Sequence, residues 1–137
     1  MAEAAKAESK VAIIDGSNVA HSTEGDRVRL ENIRIVAAKL VEEGYSPVIV
    51  ADAALRHQID DKPGYERMVE EGRIRQAPAG TDADYFILSF ARELAAVVVS
   101  NDRFKDRLEA FPEARENVIR YMIVKDEVVF ERRTSRR

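Results

Sequence analysis

The chain has 137 residues, 45% of them hydrophobic, a formal charge of -3 and no cysteine. That length and apolar share suit one domain with a true core, while the absence of cysteine excludes disulfides, thiolate zinc sites and cysteine nucleophiles and fits a cytoplasmic setting. A slightly acidic balance does not by itself announce a nucleic-acid binder.

Residues 1–10 (MAEAAKAESK) are small and charged and read as a disordered lead-in. They lack the apolar centre of a signal peptide, and no stretch approaches the ~18 apolar residues that span a bilayer, so no membrane is expected. The domain is expected over 11–131. It opens with a strand, KVAII, that runs straight into Asp15, Gly16, Ser17 and Asn18. From Val28 to Val41 the apolar positions make a broad helical stripe that Gly44 can end. PVIVAD is a second strand closing on Asp52, and GYERMVEEG is a shorter helix. A third helix starts near Thr81 and carries Phe86, Ile87, Phe90 and Leu94 toward a sheet. Val97 to Val99 form a strand with no polar face, which implies cover on both sides. Asp102 is expected to begin another helix, and VIRYMIVK with EVVFE closes the domain as strands with a hairpin-like pair. Residues 132–137 form a basic tail. This order argues a three-layer α/β/α sandwich around a mostly parallel sheet.

In such a sheet ligands collect beyond the carboxyl ends of the strands, where strand order reverses. Asp15, Asp52 and Asp102 each follow a strand; Asp82 and Asp84 open the third helix; Asp106 stands four residues after Asp102. Carboxylates brought that close repel unless protonated or bridged by cations, and hard oxygen ligands suit Mg²⁺ or Mn²⁺. Each residue also has a plainer reading. Asp15 to Asn18 can be a tight turn with Gly16 at positive φ. Thr81 to Asp84 fits a capping box, Asp102 a helix cap, and Asp52, Asp60 and Asp61 loop acids. His21 and His57 read as polar loop residues.

Taken together, VAIIDGSNVA, GTDADYFIL and SNDRFKD, in that order and at similar separations, resemble the NYN branch of the PIN-domain ribonucleases. The likeness is greatest to the Regnase (MCP-induced protein) nuclease domain and its stand-alone prokaryotic relatives, and runs from about Val11 to Val124. It implies a PIN-like fold and a Mg²⁺-dependent endoribonuclease acting on single-stranded or looped RNA. Asp15 and Asn18 fall on the family's first acid and its companion asparagine, Asp84 on the acid before Phe86-Ile87, and Asp102 and Asp106 on the last acids. Two departures stand out. Where Regnase domains carry adjacent aspartates this chain has Ala83-Asp84, with Asp82 one residue away, and the basic loop before them is the short QAPAG.

On this reading Asp15, Asp84 and Asp102 hold one Mg²⁺, with Mn²⁺ as a substitute, and Asp82 and Asp106 are outer or second-metal carboxylates. The metal would acidify a water and neutralise charge on the scissile phosphate. Asn18 orients Asp15 or touches the phosphate. Ser17, Ser100 and Asn101 can hydrogen-bond RNA oxygens, and Arg103 and Lys105 are the nearest cations in sequence for steering its backbone. A homodimer, or a protein partner that supplies RNA affinity, is compatible with the shortened basic loop and the missing cysteine-rich zinc finger. Two rivals remain: a haloacid-dehalogenase phosphatase, which needs an aspartate where Ser17 stands, and a catalytically degenerate PIN-like module that binds RNA or protein.

Overall fold

The computed structural model describes residues 10–23 and 25–131; the expected lead-in up to residue 9 and the arginine tail lie outside the described residues. Strand β1 (Lys10–Asp15) is followed at once by the single turn α1 (Gly16–Ala20), then by α2 (Leu30–Glu42) and β2 (Tyr45–Ala51). The chain continues through α3 (Leu55–Gln58), α4 (Lys62–Glu70), β3 (Ile74–Gln76), α5 (Ala83–Leu94) and β4 (Val97–Val99). A 3-10 turn (Lys105–Arg107), α6 (Ala114–Asn117) and β5 (Val118–Ile119) lead to the hairpin β6 (Tyr121–Val124) and β7 (Glu127–Phe130). No described helix is long and apolar enough to cross a membrane.

The central sheet has five strands in the order β3-β2-β1-β4-β5, with every pairing parallel, and the antiparallel β6–β7 pair stands apart from it. Strand alternation divides the core in two. Ala12, Ile14, Ile49 and Val99 pack with Ile33, Val36 and Leu40 of α2 and Tyr65 of α4, while Ile13, Val50 and Val98 pack with Ile87, Leu88 and Ala91 of α5. Both faces are therefore covered, as the unbroken apolar runs require. Order reverses between β1 and β4, which places the crevice beyond Asp15 and Val99.

Helix ends are fixed by carboxylates. Asp60 accepts from the Leu30 amide at 3.0 Å, so a distant loop caps α2, and Asp61 caps α4 through the Gly64 amide at 2.9 Å. Asp52 accepts from Leu55 at 3.0 Å and starts α3. These acids have the structural roles that their loop positions suggested. Gly44, at φ +95°, follows α2 as expected.

Four local expectations are corrected. Gly16 is helical, not at positive φ; a Cβ there would meet the Val50 carbonyl oxygen at 2.9 Å, so glycine is required by the close approach of β2. Helix α5 is capped by Asp82, whose carboxylate accepts from the Asp84 and Tyr85 amides, and not by Thr81. No helix begins at Asp102: its carboxylate accepts from the Phe104 amide at 2.8 Å, and Phe104 turns left-handed at φ +53° to bury its ring. The run VIRYMIVK divides because the Tyr121 amide bonds to the Asn101 side chain at 3.0 Å, so only Val118–Ile119 stays in the sheet. Gly16→Ala is expected to lower stability by about 1–3 kcal/mol, the usual cost of overpacking, as a drop in the urea midpoint. An unchanged midpoint would show that β2 yields at Val50.

Candidate active site

Asp15 ends β1 at the order reversal and is only 8% exposed. One carboxylate oxygen accepts from the Ser100 hydroxyl at 2.8 Å, and the other accepts weakly from the Asn18 amide at 3.4 Å. Burial nevertheless pushes its pKa up to about 6; the Ser100 and Asn18 hydrogen bonds oppose this, while the charges of Asp84 and Asp102 add to the rise. Ser100 is itself fully buried, and its oxygen accepts from the Asp102 amide at 3.0 Å. One hydroxyl thus ties the ends of β1 and β4 together. Ser100→Ala removes a charge-assisted bond, so Asp15 should titrate above its wild-type value, and the fold should lose about 1.5–3 kcal/mol at neutral pH. Carboxyl NMR across a pH series reads the first effect, and a downward shift would contradict this account of Asp15.

The asparagines are locked by the hairpin. Asn18 Oδ1 accepts from the Asn101 amide at 3.0 Å and from the Tyr121 hydroxyl at 2.7 Å. Two donors on that atom fix the orientation of the amide, since its NH₂ cannot accept either bond. The Asn18 nitrogen is therefore left as the donor end. Burial pushes the Tyr121 phenol up to about 12, with Asp15 contributing, so it stays a donor at neutral pH.

Asp84 follows the Asp82 cap by two residues and is half-buried. Its pKa is raised by burial first and then by the charges of Asp102 and Asp82, with Arg107 pulling the other way. Asp15, Asp84 and Asp102 therefore feel one another across the crevice. Asp82 is engaged differently: one oxygen caps the helix and the other is paired with Arg107. Asp106 is exposed on the 3-10 turn and is not among the charges that act on Asp15 or Asp84. Arg103 and Lys105 are exposed near the end of β4. Ser17 Oγ is buried without a partner among the described residues.

Two residues of this neighbourhood had no signal in the sequence. Tyr121 sits in an apolar run, and Arg107 among alternating charges. Among the described residues no three acidic or histidine side chains are close enough together to form a ready-made cage for a metal ion.

The family described as "Zc3h12a-like Ribonuclease NYN domain" matches residues 8–137. Two solved structures of the nuclear protein-only RNase P 2 (PRORP2) of A. thaliana share the fold, each with a TM-score of 0.71 and 22% identity. One match covers 88% of this chain and 29% of that one, the other 93% and 30%. The chain thus spans under a third of those proteins. Comparison with curated proteins finds no match.

Proposed function

The chain belongs to the Zc3h12a-like ribonuclease NYN family, with the PIN-like α/β fold of that group, and from this we propose that it hydrolyses phosphodiester bonds in single-stranded or looped RNA. The reading assigns a divalent cation, Mg²⁺ or Mn²⁺, to Asp15, Asp84 and Asp102. The observation that carries it is the mutual repulsion of these three carboxylates at the order reversal of the sheet, which raises the proton affinity of Asp15 and Asp84. Arg107, the one cation acting on Asp84, is paired with Asp82 and leaves the charge of the trio uncompensated. An all-oxygen donor set without a closed cage suits an ion that keeps several of its waters, as Mg²⁺ does.

When bound, the cation supplies neutralisation of the phosphate and a water acidic enough to attack it. The chain's own groups supply the positioning. Ser100 holds Asp15 by one oxygen and the start of the Asp102 loop by its amide. Asn18, fixed by Asn101 and Tyr121, presents amide donors suited to a phosphate oxygen. Ser17, with its buried hydroxyl unpartnered among the described residues, is a further donor at the end of β1. Arg103 and Lys105 steer the backbone by charge.

The test is incubation of the purified chain with mixed RNAs in Mg²⁺, Mn²⁺ or EDTA. Cutting that needs the metal and persists through purification supports the reading. RNA bound but left intact in all three conditions would make the chain a binding module instead. Phosphate contacts dominate such binding, so affinity should fall steeply with salt and depend little on sequence. A sequence preference that survives high salt would contradict that.

A further inference from the structure

We propose that a groove beside Asn101 holds an unpaired nucleotide of the RNA, adjoining the phosphate that the carboxylates address. The inference rests on the ribonuclease reading and adds a binding subsite to it. The groove has a volume of about 370 Å³, and its lining includes Asn101, Arg120, Tyr121, Met122, Val129 and Phe130. That volume falls within the range of small-molecule sites.

Three observations select a nucleotide as the occupant. First, the groove is continuous with the candidate active site through Asn101: its backbone amide donates to Asn18 at 3.0 Å and its side chain accepts from the Tyr121 amide at 3.0 Å. Anything seated against Asn101 is one residue from Asp102. Second, the groove is apolar and open. Met122 and Val129 face one another across β6 and β7 and are 59% and 56% exposed, beside the half-buried ring of Phe130. Bases pack on such surfaces without regard to sequence. Third, Arg120 brings positive charge to the lining, and no ion pair among the described residues uses it. In the sequence Arg132 and Arg133 follow directly after Glu131. Glu131, tied by its amide to the Arg120 carbonyl at 2.7 Å, is the acid in the lining and opposes a phosphate beside it. A base-paired nucleotide cannot enter, because its edge is engaged and its faces are stacked.

The test measures binding of a fluorescein-labelled single-stranded RNA and of the matching duplex to the full chain in EDTA, by fluorescence anisotropy. Met122→Ser, an exposed change that leaves the melting temperature in place, should weaken binding of the single strand by about tenfold, in the range of losing one stacked base, and leave the duplex unaffected. Arg120→Gln should weaken the single strand and lower the salt slope by about one. Glu131→Gln should tighten binding. The groove is overturned if wild type, Met122→Ser and Arg120→Gln bind the single strand alike, or if strand and duplex weaken equally. It is overturned also if sedimentation shows a wild-type dimer that Met122→Ser dissociates, because the face is then an interface between copies. Metal-dependent cutting with no effect of these variants sinks the groove and leaves the ribonuclease reading. Groove-dependent binding with no cutting does the reverse.

Discussion

Asp15→Asn is expected to reduce RNA cutting to background while making the metal-free protein more stable. The first effect follows from removing one charged ligand of the proposed cation, and losses of two orders of magnitude or more are usual when such electrostatic stabilisation goes. The second follows from proton linkage. The folded state raises the Asp15 pKa from 3.8 to about 6, so between those values the native protein binds a proton that the unfolded chain releases. The stabilisation this gives is complete below pH 3.8 and is lost as pH rises through about 6. Above that, ionised Asp15 costs the fold roughly 3 kcal/mol, at 1.36 kcal/mol per pH unit. An asparagine of the same size escapes this cost. In EDTA the variant should therefore melt higher than wild type at pH 7.5, with the difference closing near pH 4. Added Mg²⁺ should raise the wild-type melting temperature and leave Asp15→Asn where it was. A variant less stable than wild type in EDTA at pH 7.5 would mean that Asp15 serves the fold and not a cation.

Asp84→Asn and Asp82→Asn should separate sharply. Asp84 faces Asp102 across the crevice, while Asp82 is committed to the α5 amides and to Arg107. Cutting should vanish in Asp84→Asn with no loss of stability, because a carboxylate with a raised pKa is removed. Asp82→Asn keeps the cap, since asparagine caps as well as aspartate, and loses a half-exposed ion pair worth at most about 1 kcal/mol. Its cutting should fall only partly, because the released Arg107 can turn to Asp84 and oppose the metal. Asp82→Ala loses the cap too, at a further cost of about 1 kcal/mol. Cleavage assays at several Mg²⁺ concentrations, with urea melts, check all three. Equal and complete loss of cutting in both asparagine variants would place Asp82 among the metal ligands in the position left by Ala83.

The difference between what could and could not be read ahead is itself physical. Strands β1 and β4 were legible because burial on both faces leaves no polar alternation to confuse them, and the carboxylates at their ends followed directly. What escaped was decided by partners far off in the chain. Thr81 and Asp82 are both good caps, and the choice of Asp82 goes with its ion pair to Arg107. Asp102 reads as the start of a helix, but the burial of the Phe104 ring turns the backbone left-handed there. VIRYMIVK is a continuous apolar run that breaks only because Asn101 takes the Tyr121 amide. The acid trio was visible as types at strand and helix ends, whereas Tyr121 and Arg107 matter through hydrogen bonds and charge that no local pattern encodes.

The parallel pairing of β1 with β4, which sets Ile13 beside Val98, bears on when in its life the chain could first act. Asp15 is synthesised early, but its neighbours Ser100 and Asp102 arrive late, and Asn18 is not locked until Tyr121 docks. Pairings this distant in sequence form slowly, because a long loop must close before any contact rewards it. A growing chain on the ribosome, surrounded by messenger and ribosomal RNA, therefore carries its first acid without the partners that would arm it. The topology delays assembly of the carboxylate trio until almost the whole domain has been made, so that folding itself acts as the safety catch.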